Sequence, residues 1–196
     1  MTAGLRRSWR RADGQSIVEF AIVMPLVLIL ALGVIEAGYA LLHQHVVTKL
    51  TREGSNLISR DTSLGDAATA LQHMSSASVD FSNGSKLIFS VIKDVATTGA
   101  SNFGRPILYQ RYEFGTLPMH STLTTRGSGT FGSGPDYQAN NSDNDTNLQI
   151  TNLPANLITT GDMLYVTEIY TSHPLITPLD RLGITLPSML YSIAYF

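Results

Sequence analysis

The sequence predicts an α+β protein: one long N-terminal helix, apolar enough in its first half to span a membrane, packed on a mostly antiparallel sheet. Three observations predict it. Phe20–Leu42 is an apolar run whose one charge is Glu36. Helical spacing of apolar residues continues past that run through Val46, Val47, Leu50, Gly54, Leu57 and Ile58. From residue 79, segments rich in β-branched and aromatic residues alternate with turn signals.

Composition narrows the function classes. The chain of 196 residues has no cysteine, which excludes a disulfide framework, a thiol nucleophile, an iron–sulfur cluster and Cys-type zinc sites. Its formal net charge of −2 argues against a nucleic-acid partner, which calls for a basic face. The charge is divided along the chain. Arg6, Arg7, Arg10 and Arg11 outweigh Asp13 in residues 1–14, while the remainder is acidic. A basic tip, an apolar block and an acidic body form the pattern of an exported, membrane-inserted chain.

The apolar block is long enough to cross a bilayer, because about 20 helical residues span the hydrocarbon core. It is apolar on every face, which a core helix rarely is over such a length. The arginines before it place residues 1–14 in the cytoplasm and the body outside the inner membrane. Pro25 removes one helical hydrogen bond. Gly33 and Ala37 have the small-xxx-small spacing that permits close helix approach. Glu36 lies near the outer end of the span, where it can reach headgroups or a partner helix. A removable secretory signal is the competing reading, with Gly38 and Ala40 imitating a cleavage site before Leu41.

Directly before the block stands Gly14-Gln15-Ser16-Ile17-Val18-Glu19-Phe20. Glu19 is one turn inside the apolar segment, where an unpaired carboxylate is expensive. Cleavage after Gly14 would give Gln15 a new α-amino group. Glu19 lies one helical turn from that amine and can also reach the amine of a neighbouring subunit. Pairing the two would reduce both desolvation costs and fix register between packed helices.

The block GQSIVEFAIVMPLVLILALGVIEAGYA resembles the N-terminal domain of TadE-like proteins, minor pilins or pseudopilins of the Flp/Tad branch of type IV pili. The resemblance rests on the glycine, the Val-Glu-Phe, the proline six residues after the glutamate, and Ile-Glu-Ala-Gly near the end of the run. It implies cleavage between Gly14 and Gln15 by a prepilin peptidase, with Glu19 as the acid needed for processing or assembly. The expected helix-packing positions are Phe20, Pro25, Gly33, Glu36 and Ala37. The implied partners are the peptidase, other pilins of the Tad pilus, the inner-membrane assembly platform and, before assembly, lipid. No enzymatic activity and no cofactor are implied. Phe20 stands where major Flp pilins usually carry tyrosine, which favours a minor component. Tyr165–Gly183 (YVTEIYTSHPLITPLDRLG) more weakly resembles the C-terminal part of the same family.

The expected organisation is a leader at 1–14, a helix over 15–60 with its membrane segment at about 20–42, and an α+β body over 61–196. Asp61-Thr62-Ser63 offers a helix stop and a new N-cap, followed by a short helix with Leu64, Ala67, Ala68, Leu71 and Met74 on one face. Val79–Phe81 and Lys86–Val95 flank Asn83-Gly84 as a predicted hairpin. Arg105–Phe114, Met163–Thr171 and Ser188–Phe196 read as further strands. Residues 115–147, rich in Gly, Ser, Thr, Asn and Asp, read as a surface excursion whose composition fits either order or partial disorder.

Asp136, Asp143 and Asp145 are a weak candidate calcium site: the ligand type suits Ca²⁺, but the EF-hand glycine and glutamate are missing. His43 and His45 are two apart on a helix and face different ways, at the expected membrane boundary. His73, His120 and His173 show no ligand spacing. The leading expectation is a structural minor pilin contributing to pilus initiation, assembly and adhesion. Its rivals are an unprocessed membrane-anchored envelope protein with a ligand-binding outer domain, and a periplasmic enzyme released before Leu41.

Overall fold

The computed structural model describes residues 9–75, 79–183 and 187–196. Arg6 and Arg7, with most of the predicted leader, lie outside the described residues, as do the side chains of Arg10 and Arg11. The element order is α1 (Trp9–Ile58), α2 (Leu64–Met74), β1 (Ser85–Asp94), β2 (Pro106–Gly115), β3 (Met163–Ser172) and β4 (Met189–Tyr195), with 3₁₀ turns at Thr146–Leu148 and Pro178–Leu182. One long apolar helix and one antiparallel sheet make the fold α+β, as the sequence predicts.

The described residues divide into two compact units. The first holds α1 up to Leu41 together with the segment from Leu175 that contains the second 3₁₀ turn. The second holds Leu42–Pro174 and Pro187–Phe196.

In the second unit the sheet order is β2-β1-β3-β4, all antiparallel. Alternation on β1 assigns its two faces. Leu87, Phe89 and Val91 pack with Val47, Leu50 and Ile58 of α1 and with Leu64, Ala67, Ala68 and Leu71 of α2. Ile92 packs on the other face with Leu108, Leu164 and Val166. The predicted stripes on α1 and α2 face this core, with Val46 and Leu57 half-buried against it, while Met74 is exposed. Ser63 caps α2 as its sequence suggests: its hydroxyl accepts from the Asp66 amide at 3.2 Å and donates to the Asp66 carboxylate at 2.7 Å.

Gly54 sets the closeness of α1 to the sheet. A Cβ there would lie 2.8 Å from Thr167 Cγ2, 2.9 Å from Leu71 Cδ1 and 3.1 Å from Phe89 Cε1. One turn of α1 therefore touches β1, β3 and α2 through a missing side chain.

One expectation needs correction, and one left open is resolved. Val79–Phe81 forms no strand. The chain turns there, the Asn83 amide donating to the Asp80 carbonyl at 3.0 Å, while Val79 and Phe81 bury their side chains in the helix-side core. The strand-like pattern reflects burial, and β1 pairs instead with β2 and β3. The 115–147 excursion is structured. Its backbone bridges to the body at Gln110–Gln138 and pairs within the loops at Phe131–Ala139 and Thr125–Ile150. Leu123, Ala139, Leu148 and Ile150 are buried beneath it. Asn102, fully buried, clamps its far end: the side-chain amide donates to the carbonyls of Ser142 and Asp145 at 2.9 Å each and accepts from Gln149 at 2.8 Å. Side-chain-to-backbone bonding replaces the apolar residues the segment lacks.

Candidate functional site

The sequence places most of its candidate residues on α1. That helix is the one helix among the described residues long and apolar enough to cross a membrane, and none of its most apolar window is buried in the molecule. Ile17, Val18, Phe20, Ile22, Leu26, Leu28, Leu30 and Val34 are all exposed. An exposed apolar surface on every face demands lipid or other helices.

Gly14 and Gln15 lie within α1, and a Cβ at Gly14 would meet no atom within 4 Å. The glycine weakens the helix at this point by about 1 kcal/mol relative to alanine. Glu19 is exposed, and its carboxylate accepts from the Gln15 side-chain amide at 2.9 Å, one turn back. The helix continues through Pro25. Phe20, Pro25 and Ala37 are exposed, and a Cβ at Gly33 would meet nothing within 4 Å. These positions are open for packing by other molecules.

Residues 14–56 match the family model described as TadE-like protein. The N-terminal segment is TadE-like. The match starts at the glycine of the predicted cleavage site and ends two residues before the end of α1. The TadE-like segment is thus the long helix itself. The sheet and the weaker resemblance at Tyr165–Gly183 lie outside the matched residues. No curated protein and no solved structure matches the chain.

Glu36 differs from the rest of the TadE-like helix. It is 0% exposed. Its carboxylate accepts from the Ile176 amide at 3.2 and 3.3 Å, from the Thr177 amide at 3.0 Å and from the Thr177 hydroxyl at 2.7 Å. The acid in the apolar run therefore has a partner inside its own chain. Sequence reading missed Ile176 and Thr177, because 140 residues separate them from Glu36 and their donors are mostly backbone.

His43 is buried in the second unit. Its Nδ1 lies 2.9 Å from Nδ1 of His173, which is also buried. One ring must donate and the other accept. His173 had no spacing signal that could link it to His43.

The three candidate calcium ligands do not converge. Asp143 pairs with Lys93 Nζ at 3.0 Å and accepts from the Thr97 hydroxyl at 2.7 Å. Those bonds, the threonine's foremost, hold its pKa below the usual carboxylate value. Asp145 caps the Thr146–Leu148 turn by accepting from the Asn147 amide at 3.0 Å, and Asp136 is exposed. Among the described residues, no three His, Asp or Glu side chains are grouped to hold a metal ion.

The second unit contains a polar cluster around one buried acid that sequence reading also missed. Glu168 of β3 is 0% exposed. It accepts from the Ser121 hydroxyl, from the Thr122 amide at 2.9 Å, from the Thr122 hydroxyl at 2.7 Å and from the Tyr191 hydroxyl at 3.1 Å. Arg111 reaches the Ser121 hydroxyl at 3.1 Å and the Ser90 hydroxyl at 3.2 Å. Burial lowers the pKa of Arg111, and the negative charge of Glu168 opposes that shift. Burial, together with the Glu168 charge, pushes the Tyr170 phenol up to about 12 and raises Tyr191 as well.

A phenol with a raised pKa stabilises the folded state fully below its unfolded value near 10. That contribution is lost as pH rises towards about 12. In an alkaline titration followed by tyrosinate absorbance and circular dichroism, Tyr170 and Tyr191 are expected to ionise with unfolding. Tyr191→Phe should flatten the fall in stability above pH ~10. Ionisation of both phenols before any loss of structure would contradict the assignment.

Proposed function

We propose that the protein is a structural minor pilin of a Tad pilus, held in the inner membrane by α1 until assembly. The supporting observation is the coincidence of the TadE-like match with a helix whose most apolar stretch is exposed, carrying Glu19 one turn from Gln15. The body lies outside the membrane and the basic leader in the cytoplasm. A prepilin peptidase removes the leader after Gly14. The helix then leaves lipid for a bundle of pilin helices, where Glu19 compensates the α-amine of a neighbouring subunit. The action is packing and not catalysis: the subunit helps to initiate, assemble and present an adhesive pilus.

The N-terminal residue tests this reading. Mass spectrometry of the protein made with and without the peptidase is expected to give Gln15 only when the peptidase is present. Met1 under both conditions would leave an unprocessed membrane-anchored protein, and Leu41 would indicate a released one. Glu19→Ala should insert normally yet lower incorporation into pili at least tenfold, the factor expected for about 1.4 kcal/mol of lost pairing.

A further inference from the structure

We propose that residues 175–183 form a collar that seats on the outer lipid surface and fixes the membrane exit of α1 at Glu36. The proposal rests on α1 being a membrane helix and adds where its crossing ends. The chain at Ile176 and Thr177 is non-helical backbone, tied by its amides to the Glu36 carboxylate. Lipid-exposed irregular backbone is not tolerated inside the hydrocarbon. Glu36 therefore cannot lie deeper than the interface, because what it holds cannot.

The length of the helix agrees. Ile17–Ile35 is nineteen residues. At 1.5 Å each they rise about 28 Å, against a hydrocarbon core of about 30 Å. The lipid-crossing segment is then residues 17–36, shifted towards the N-terminus from the apolar run Phe20–Leu42. The collar has the composition of an interfacial segment. Ile176 is 54% exposed although its own amide is committed to Glu36. Pro178, Asp180 and Arg181 are exposed beside it. One charge of each sign suits a zwitterionic headgroup layer.

The partner is thus a phosphatidylcholine-like surface, and tryptophan fluorescence can detect it. The chain has a single tryptophan, Trp9. In a Trp9→Phe background, Val27→Trp and Ile176→Trp report the mid-span and the collar. The full chain is reconstituted in phosphatidylcholine vesicles brominated either near the headgroup end or near the terminus of the acyl chain. Val27→Trp is expected to be quenched most by the deep bromines, and Ile176→Trp by the shallow ones. Glu36→Ala should reduce the shallow quenching of Ile176→Trp at least twofold.

An unquenched Val27→Trp would remove the membrane helix itself. A quenched Val27→Trp with an unquenched Ile176→Trp would remove only the collar. Stronger quenching of Ile176→Trp by deep bromines would place the exit beyond Glu36. Unchanged quenching after Glu36→Ala would show that the carboxylate does not anchor the segment.

Discussion

Replacing Glu168 by alanine is expected to destabilise the second unit by about 3–5 kcal/mol, the cost of breaking a buried charge network on one side. The carboxylate accepts hydrogen bonds from Ser121, from both donors of Thr122 and from Tyr191. Its loss strands these donors together with the Arg111 guanidinium, which reaches the cluster through Ser121. Since whole domains are stable by only about 5–15 kcal/mol, the variant should be close to unfolding at physiological temperature. Glu168→Gln keeps the shape and one acceptor but points an amide N–H₂ at other donors. It should cost about 1–3 kcal/mol. Denaturant unfolding of the full chain in detergent, followed by circular dichroism, gives both numbers. A loss below about 1 kcal/mol for the alanine variant would mean that water replaces the carboxylate freely.

The second large effect is expected at Gly54. Alanine there gains about 1 kcal/mol of helix propensity. It also brings a methyl carbon to 2.8 Å from Thr167 Cγ2 and 3.1 Å from the Phe89 ring, neither of which can swing away as the Leu71 methyl can. Overpacking of this kind costs about 1–3 kcal/mol. Gly54→Ala should thus be near neutral or lose up to about 2 kcal/mol. Gly54→Leu adds three more carbons to a space that has none, and is expected to detach α1 from the sheet. Thermal unfolding of the two variants side by side checks the contrast. Equal stability of alanine and leucine variants would show that the contact opens without cost.

The helices and strands were legible because each has a strong local pattern. The apolar stripe of Val47, Leu50 and Ile58 has helical spacing, Ser63 stands where a cap should, and β1 to β4 are each β-branched and aromatic. The failures share a cause. Val79 and Phe81 look like strand residues because they are buried, and burial does not report backbone conformation. The order of residues 115–147 stayed open because it comes from Asn102 and Asp145 bonding to backbone and from Thr122 bonding to Glu168, which composition does not reveal. On the candidate site, Gly14, Glu19 and the TadE-like block were readable as a local motif. The partners of Glu36, His43 and Glu168 lie far along the chain, and no single sequence specifies which distant amide or ring a polar side chain meets.

The position of β4 has a consequence for timing. The Ser55 hydroxyl donates to the Ala194 carbonyl at 3.0 Å, and the Gln44 amide to that of Tyr191 at 3.1 Å. β4 also supplies Tyr191 to Glu168, and it follows β1 to β3 in chain order. α1 and β4 thus complete one another across 139 positions of chain. During synthesis the sheet stays one strand short until β4 has followed all the other described elements out of the ribosome. Contacts of such long range also slow folding. The apolar helix is finished while the body is still an open sheet, so the anchor is available for insertion before there is a folded domain to obstruct it.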